Sequence, residues 1–223
     1  MLLITSAITI ALAFSAPATP REQVYPLATT KGLTAMNGVK LSSTVYRGKR
    51  SVVLTEEEDP KFGVLAVVFP LDFKNGTIEF DEAGTLTDQH NPTSRSFVGM
   101  AFRVSDDLSK YECFYLRMTN GRSSSQELRN HAVQYCMHPD HLWDQLRETQ
   151  PFRYEAYTDL ELGAWTHVKI SVYGTDAKFY VGGAKQPTLV VHDLFMGATH
   201  GKLALWVGGY TRAYYSNLKV RGA

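Results

Sequence analysis

FVGMAFRV (97–104), YECFYLRMTN (111–120) and HAVQYCMHPDHLWDQLRE (131–148) are the segments on which the fold class of this chain turns. In the first two, apolar residues take every second position: Val98, Met100, Phe102 and Val104, then Phe114, Leu116 and Met118. Side chains of a strand alternate between its two faces, so a period of two predicts strands with one face given to a core. The other parity gathers Arg103, Tyr111, Tyr115 and Arg117. Guanidinium, phenol and thiol groups thus share a rigid sheet surface, and that surface is the first place to look for function.

Outward from this block, short alternating runs and turn signals follow one another at intervals of about ten residues. Val39–Tyr46 and Arg50–Thr55 flank Arg47-Gly48-Lys49, and Gly63–Phe69 reaches Gly76–Asp81 through the tight-turn pair Asn75-Gly76. Thr166–Tyr173 and Ala177–Val181 read as a hairpin across Gly174-Thr175-Asp176, and Leu189–His192, Lys202–Val207 and Tyr214–Val220 complete the series. This spacing predicts an all-β sandwich or jelly roll. One short helix is expected at His141–Glu148, with Asp140 at its start as a cap, and Thr119–Asn130 reads as an exposed, mobile loop.

With 223 residues and 44 % hydrophobic content the chain can bury a sizeable core in one domain. A net charge of +1 gives no long-range attraction to nucleic acid or to an anionic membrane. The first residues, MLLITSAITIALAFSAPATP, hold an apolar run from Leu2 to Phe14, short of the about 20 residues that span a bilayer. Ala16-Pro17-Ala18 then approximates a cleavage site, so a signal peptide is expected over 1–18 and one domain over 19–223. No other segment is apolar enough to cross a membrane, and a secreted or periplasmic protein is the expectation. In an oxidising compartment Cys113 and Cys136 would bridge if their strands pair; two buried thiols are the alternative. No C-x-x-C spacing supports a zinc site built on cysteine.

Three stretches carry a family likeness: FVGMAFRV with YECFYLRMTN, HAVQYCMHPDHLWDQLRE, and WTHVKISVYGTDAKFYVGG with PTLVVHDL and GKLALWVGGYTRAYYSNLKV. Together they resemble the concanavalin A-like (laminin G-like) jelly-roll superfamily, and within it the secreted bacterial keto-disaccharide hydrolase-like, or glycosidase-like, branch. The likeness covers roughly residues 60–220 and is most specific in the ending G-x-L-A-L-W-V-G…Y-x-N-L-K-V. It implies two curved antiparallel sheets with a carbohydrate ligand on the concave face of one. Carried over, Arg103, Tyr115 and Arg117 lie on that face. The neighbouring segment adds either His131, Val133 and Tyr135 or Gln134, Cys136 and His138; the second set shares the surface of Arg117 if the cysteines oppose each other. Thr166–Tyr173 adds His167 and Lys169.

The expected binding residues are therefore Arg103, Arg117, Gln134, Lys169 and Trp143, the last either covering one end of the groove or, as a helical tryptophan more often does, packing its helix down. Arginine offers a planar fork for carboxylates and vicinal hydroxyls, and aromatic rings suit sugar faces. A hydrolase or lyase acting on di- or oligosaccharides is the enzymatic alternative, with His138 or Tyr115 carrying protons. A protein-interaction module of laminin G type, using Thr119–Asn130, is the third reading. Glu79, Asp81 and Glu82 do not complete an E-x-D-x-x-E pattern, because Gly84 stands at the last position; they read as edge-strand charges. His131, His138 and His141 with Asp140 and Glu148 form a loose metal candidate that Pro139 interrupts. No cofactor is evident; structural calcium would be consistent with the superfamily. Trp165 and Trp206 read as core, and Asn75-Gly76-Thr77 as a turn as much as a glycosylation acceptor.

Overall fold

A computed structural model describes residues 22–36, 38–58 and 64–222; the expected leader over 1–18 lies outside the described residues. The strands are β1 Glu22–Tyr25, β2 Leu33–Ala35, β3 Lys40–Tyr46, β4 Lys49–Glu56, β5 Val64–Phe73, β6 Gly76–Leu86, β7 Phe97–Val104 and β8 Tyr111–Arg117. After helix α1 Gln126–Asn130 come β9 Val133–His138, helix α2 Trp143–Thr149, β10 Glu155–Ala156, β11 Thr166–Tyr173, β12 Asp176–Val181, β13 Leu189–Val191, β14 Gly201–Val207 and β15 Thr211–Gly222. They form two antiparallel sheets. The first runs β13-β12-β11-β6-β15-β4-β3 with β1 also on β15, and the second runs β10-β9-β8-β7-β14-β5-β2.

The all-β jelly roll expected from the alternation is what the chain adopts, with two short helices rather than one. The apolar parity of the central block does form the core. Phe114 of β8 stacks on Phe179 of β12 with ring centres 4.4 Å apart, so this side of β8 faces the first sheet. Val98, Met100, Phe102, Leu116, Ile78, Phe80, Val168 and Ile170 are all fully buried around it. At Gly84 the sheets come so close that a Cβ would sit 2.7 Å from Val98 Cγ1, which explains a glycine in the middle of β6.

Four expectations change. β6 is not an edge strand: it pairs with β11 on one side and β15 on the other, so Glu79 and Asp81 lie on the outer face and Glu82 on the inner. Asp81 accepts hydrogen bonds from Lys49, His167 and Asn217, which ties β4, β11 and β15 to β6. Burial alone would raise its carboxyl, but these donors prevail and hold it below its ordinary value. Helix α2 starts two residues later than expected. Its N-cap is Leu142, without a side-chain bond, while Asp140 pairs with Lys110 at 3.1 Å. The supposedly mobile Thr119–Asn130 instead holds α1, whose first turn Ser125 caps by accepting from the Leu128 N–H, and Arg122 is tied to Asp159 and Glu161.

The fourth concerns Arg103. The register between β7 and β14 shifts near Lys202, and Arg103 takes a φ of 52° there. A bulge of this kind re-aims a side chain. The guanidinium donates to the carbonyls of Lys74, Gly174 and Gly197, pinning three loops from a fully buried position. Asn75, in the turn as expected, supports the same corner by accepting from the Gly174 N–H.

Candidate functional site

Pairing of β8 with β9 places Tyr111 opposite His138, Cys113 opposite Cys136 and Tyr115 opposite Gln134, and β10 sets Glu155 beside Gln134. Cysteine faces cysteine, so of the two sets left open by the sequence, Gln134, Cys136 and His138 share the surface of Arg117. That surface points away from the first sheet, because the opposite one meets Phe179. Gly99 of β7 lies across from Tyr115, where a Cβ would fall 2.6 Å from the Tyr115 Cβ. Its missing side chain lets the Tyr115 ring reach Trp206 of β14, and the two stack at 4.9 Å. Tyr115, Gln134, His138 and Trp206 are buried, forming an aromatic floor.

At the Arg117 end this floor opens into a cleft of about 420 Å³. Thr93 and Arg95 border it from the loop before β7, Phe97 from β7, Asn120 and Leu128 from the segment after β8, Trp143 and Arg147 from α2, and Tyr210 from the turn before β15. Arg117 and His131 complete the lining.

Arg117 is almost fully inside. It donates to the His131 carbonyl at 2.9 Å, to the Tyr115 hydroxyl at 3.0 Å and to Gln134 Oε1 at 3.1 Å, and it meets Glu155 Oε1 at 3.4 Å. Gln134 is held in turn by donating to the carbonyls of Tyr135 and Tyr154. Glu155 also receives Arg147 through both Nε and Nη2. His131 Nδ1 approaches Glu155 Oε2 to 2.8 Å, out of line for a hydrogen bond. One carboxylate thus sits among two arginines and a histidine. Burial, reinforced by Arg147 and Arg117 and opposed by Glu155, holds the His131 imidazole below its ordinary value, so it is neutral near pH 7. Burial likewise pushes the Tyr115 phenol well up against the pull of Arg117, which makes it a poor proton carrier.

Trp143 stands at the mouth and is 45 % exposed. The guanidinium carbons of Arg147 and Arg117 lie 4.8 and 5.7 Å from its ring centre, within cation–π range. Asn120 donates to the His131 carbonyl, while its buried Oδ1 has no protein partner. Among the described lining residues there are three arginines and no carboxylate.

The expected residues thus divide. Arg117 and Trp143 line the cleft; Gln134 and Tyr115 brace Arg117 from beneath. His138 lies further along the floor, stacked on Tyr111 at 4.6 Å. Arg103 serves the loop corner described above. Lys169 is on β11 of the other sheet, over the Tyr180 ring, and does not join them. The histidine trio disperses: His131 goes to Glu155, His138 to Tyr111, and His141 stacks on Phe195 at 4.0 Å. Arg147 was legible, since it follows Trp143 by four residues on a helix and so shares its side. Glu155, Asn120 and Arg95 gave no local signal.

No sequence-family profile matches the chain, and no curated protein matches it. Its fold is shared with solved structures. The carbohydrate-binding module CBM66 from Bacillus subtilis is 16 % identical, with a TM-score of 0.58 over 85 % of this chain and 95 % of that one. The carbohydrate recognition domain of Emp47p is 8 % identical, with a TM-score of 0.57 over 94 % and 100 %. The Crh5 transglycosylase is 11 % identical, with a TM-score of 0.53 over 93 % and 88 %. At these identities the likeness is one of fold alone, the all-β jelly roll expected from the sequence.

Proposed function

We propose that this chain binds an acidic saccharide in the cleft beside Trp143. The observation that carries the reading is a half-exposed indole at the mouth of a cleft lined by three arginines and, among the described residues, no carboxylate. An indole offers apolar surface to the C–H face of a sugar ring. Arg95, whose hydrogen bonds among the described residues use only Nη1, supplies a forked donor for a carboxylate, and Arg147, its Nε and Nη2 held by Glu155, adds positive charge beside it. Use of the same fold by a carbohydrate-binding module and a carbohydrate recognition domain supports a sugar as ligand.

Binding without cleavage fits better than hydrolysis. Glycosidases need two carboxyl groups across the scissile bond. Here Glu155, the carboxylate that contacts two of the lining arginines, is already engaged by Arg117, Arg147 and His131.

Calorimetric titration with uronate-bearing and neutral oligosaccharides tests this. The acidic members are expected to bind, and more weakly as salt rises. Trp143→Ala should weaken binding by at least about tenfold while the melting temperature barely moves. Arg95→Ala should remove the preference for uronate over neutral sugar. Folded protein that binds none of these saccharides, or a panel in which new reducing ends appear, would overturn the reading.

The apolar run Leu2–Phe14 followed by Ala16-Pro17-Ala18 supports export, and so a ligand met outside the cytoplasm. N-terminal sequencing of protein recovered from the extracytoplasmic fraction should begin just beyond Ala18. Protein retaining Met1 there would count against cleavage.

A further inference from the structure

Beyond the cleft, the same floor holds three soft donors. Cys113 and Cys136 oppose each other directly across β8 and β9, and His138 follows Cys136 by two residues, hence on the same face. Their two sulfur atoms and one imidazole nitrogen all lie within 4.8 Å of one another, and all three residues are buried. Among the described residues this is the one group of three such donors brought so close. None of the three borders the cleft.

We propose that Cys113, Cys136 and His138 form a binding site for a thiophilic divalent cation of the zinc type. Donor chemistry selects the class: two sulfurs and an imidazole suit zinc, whereas calcium and magnesium require oxygen ligands. Charge selects the valence. Two thiolates, a neutral imidazole and a divalent ion sum to zero, which a fully buried site tolerates far better than a net charge. Geometry is close to what coordination needs. Bonds of about 2.3 Å to sulfur and about 2.0–2.1 Å to nitrogen place tetrahedral donors roughly 3.4–3.8 Å apart, so donors that lie within 4.8 Å of one another close by at most about 1.0–1.4 Å. Two neighbouring strands fix the sulfurs, and the Tyr111 ring, stacked on His138 at 13° between planes, fixes the imidazole. Binding displaces to solvent the protons that remain on the two sulfurs, and no oxidant or reductant takes part.

Neither cysteine spacing nor a histidine motif announces this site. The two cysteines are far apart in the chain, and only the register of β8 on β9 unites them.

The test is titration of the reduced, metal-free full chain with Co²⁺. One cobalt per chain is expected, with a near-ultraviolet thiolate-to-metal charge-transfer band and the visible bands of tetrahedral cobalt, both erased by added Zn²⁺. Cys136→Ser and His138→Gln should each lose these bands. Should a variant fail to fold, the wild-type chain still decides: Zn²⁺ should protect both thiols from alkylation. Absence of the charge-transfer band at equimolar Co²⁺, unchanged bands in Cys136→Ser, or unprotected thiols would refute the site. So would a Cys113–Cys136 disulfide whose reduction restores no metal uptake.

Discussion

Replacing Glu155 by glutamine is expected to lower the unfolding free energy by about 3–5 kcal/mol, the usual cost of leaving one member of a buried ion pair without its partner. For a chain of this length that is a fall in melting temperature of about 6–20 °C. The change keeps the shape of the side chain and one acceptor oxygen, but removes the charge. Arg147, whose side chain is 33 % exposed, can turn to water. Arg117 cannot: its side chain is 5 % exposed, and it would keep its bonds to Tyr115, Gln134 and the His131 carbonyl without a counter-charge. Replacing Arg117 by methionine together with Glu155 by leucine should recover most of the loss, since an apolar pair of similar volume carries no desolvation cost. Denaturant titrations of the single and double variants measure the two free-energy changes, and thermal scans the fall in melting temperature. A single-variant loss below about 1 kcal/mol would mean that the pair behaves as a solvated one.

Glu82→Gln should act in the opposite direction, making the protein more stable at neutral pH. Glu82 lies within the sandwich core on β6, fully buried, and neither carboxyl oxygen has a hydrogen-bond partner. Burial pushes its carboxyl well above the ordinary glutamate value. The sign follows. Below about pH 4.3 the group is protonated both folded and unfolded, and it costs nothing specific to charge. As pH rises above that, the unfolded chain releases the proton and the folded one retains it. Stability then falls by about 1.4 kcal/mol per pH unit until the folded-state value is reached.

Glutamine does not ionise, so the advantage of the variant should be small at pH 4 and grow as the pH rises toward 7. Glu112, which burial pushes up to about 7 against its bonds from Tyr135 and Met196, adds a slope of the same sign in both proteins and cancels in the difference. Tyr215 on β15 and Cys113 on β8 are the other titratable groups within reach, and the proximity of Glu82 contributes to raising both. A stability difference independent of pH between 4 and 7 would show that Glu82 is ionised in the fold.

These two positions also show how far the sequence reaches. Ile78, Phe80 and Glu82 stand at alternate positions, so period two carried one residue beyond the expected strand end at Asp81 puts Glu82 on the inner face. Reading β6 as an edge concealed it, because strand order depends on pairing with β11 and β15, residues far along the chain. The alternation in 97–118 likewise separated the core face from the polar face. It misassigned only Arg103, where a register shift against β14 breaks the period.

By itself, then, the sequence determined the class of fold, the inward and outward parity of the central strands, and the placing of Tyr115, Arg117 and Trp143 near one another. The first two, and the shared face of Tyr115 and Arg117, follow from alternation along a strand and turn chemistry; Trp143 beside them is what the family resemblance implied. Only the tertiary structure decided that Glu155 neutralises Arg117, that Lys169 belongs to the other sheet, and that Cys113, Cys136 and His138 meet. Such outcomes rest on which strand lies beside which and in what register. Burial of the whole sheet sets that register, and no short window of residues contains it.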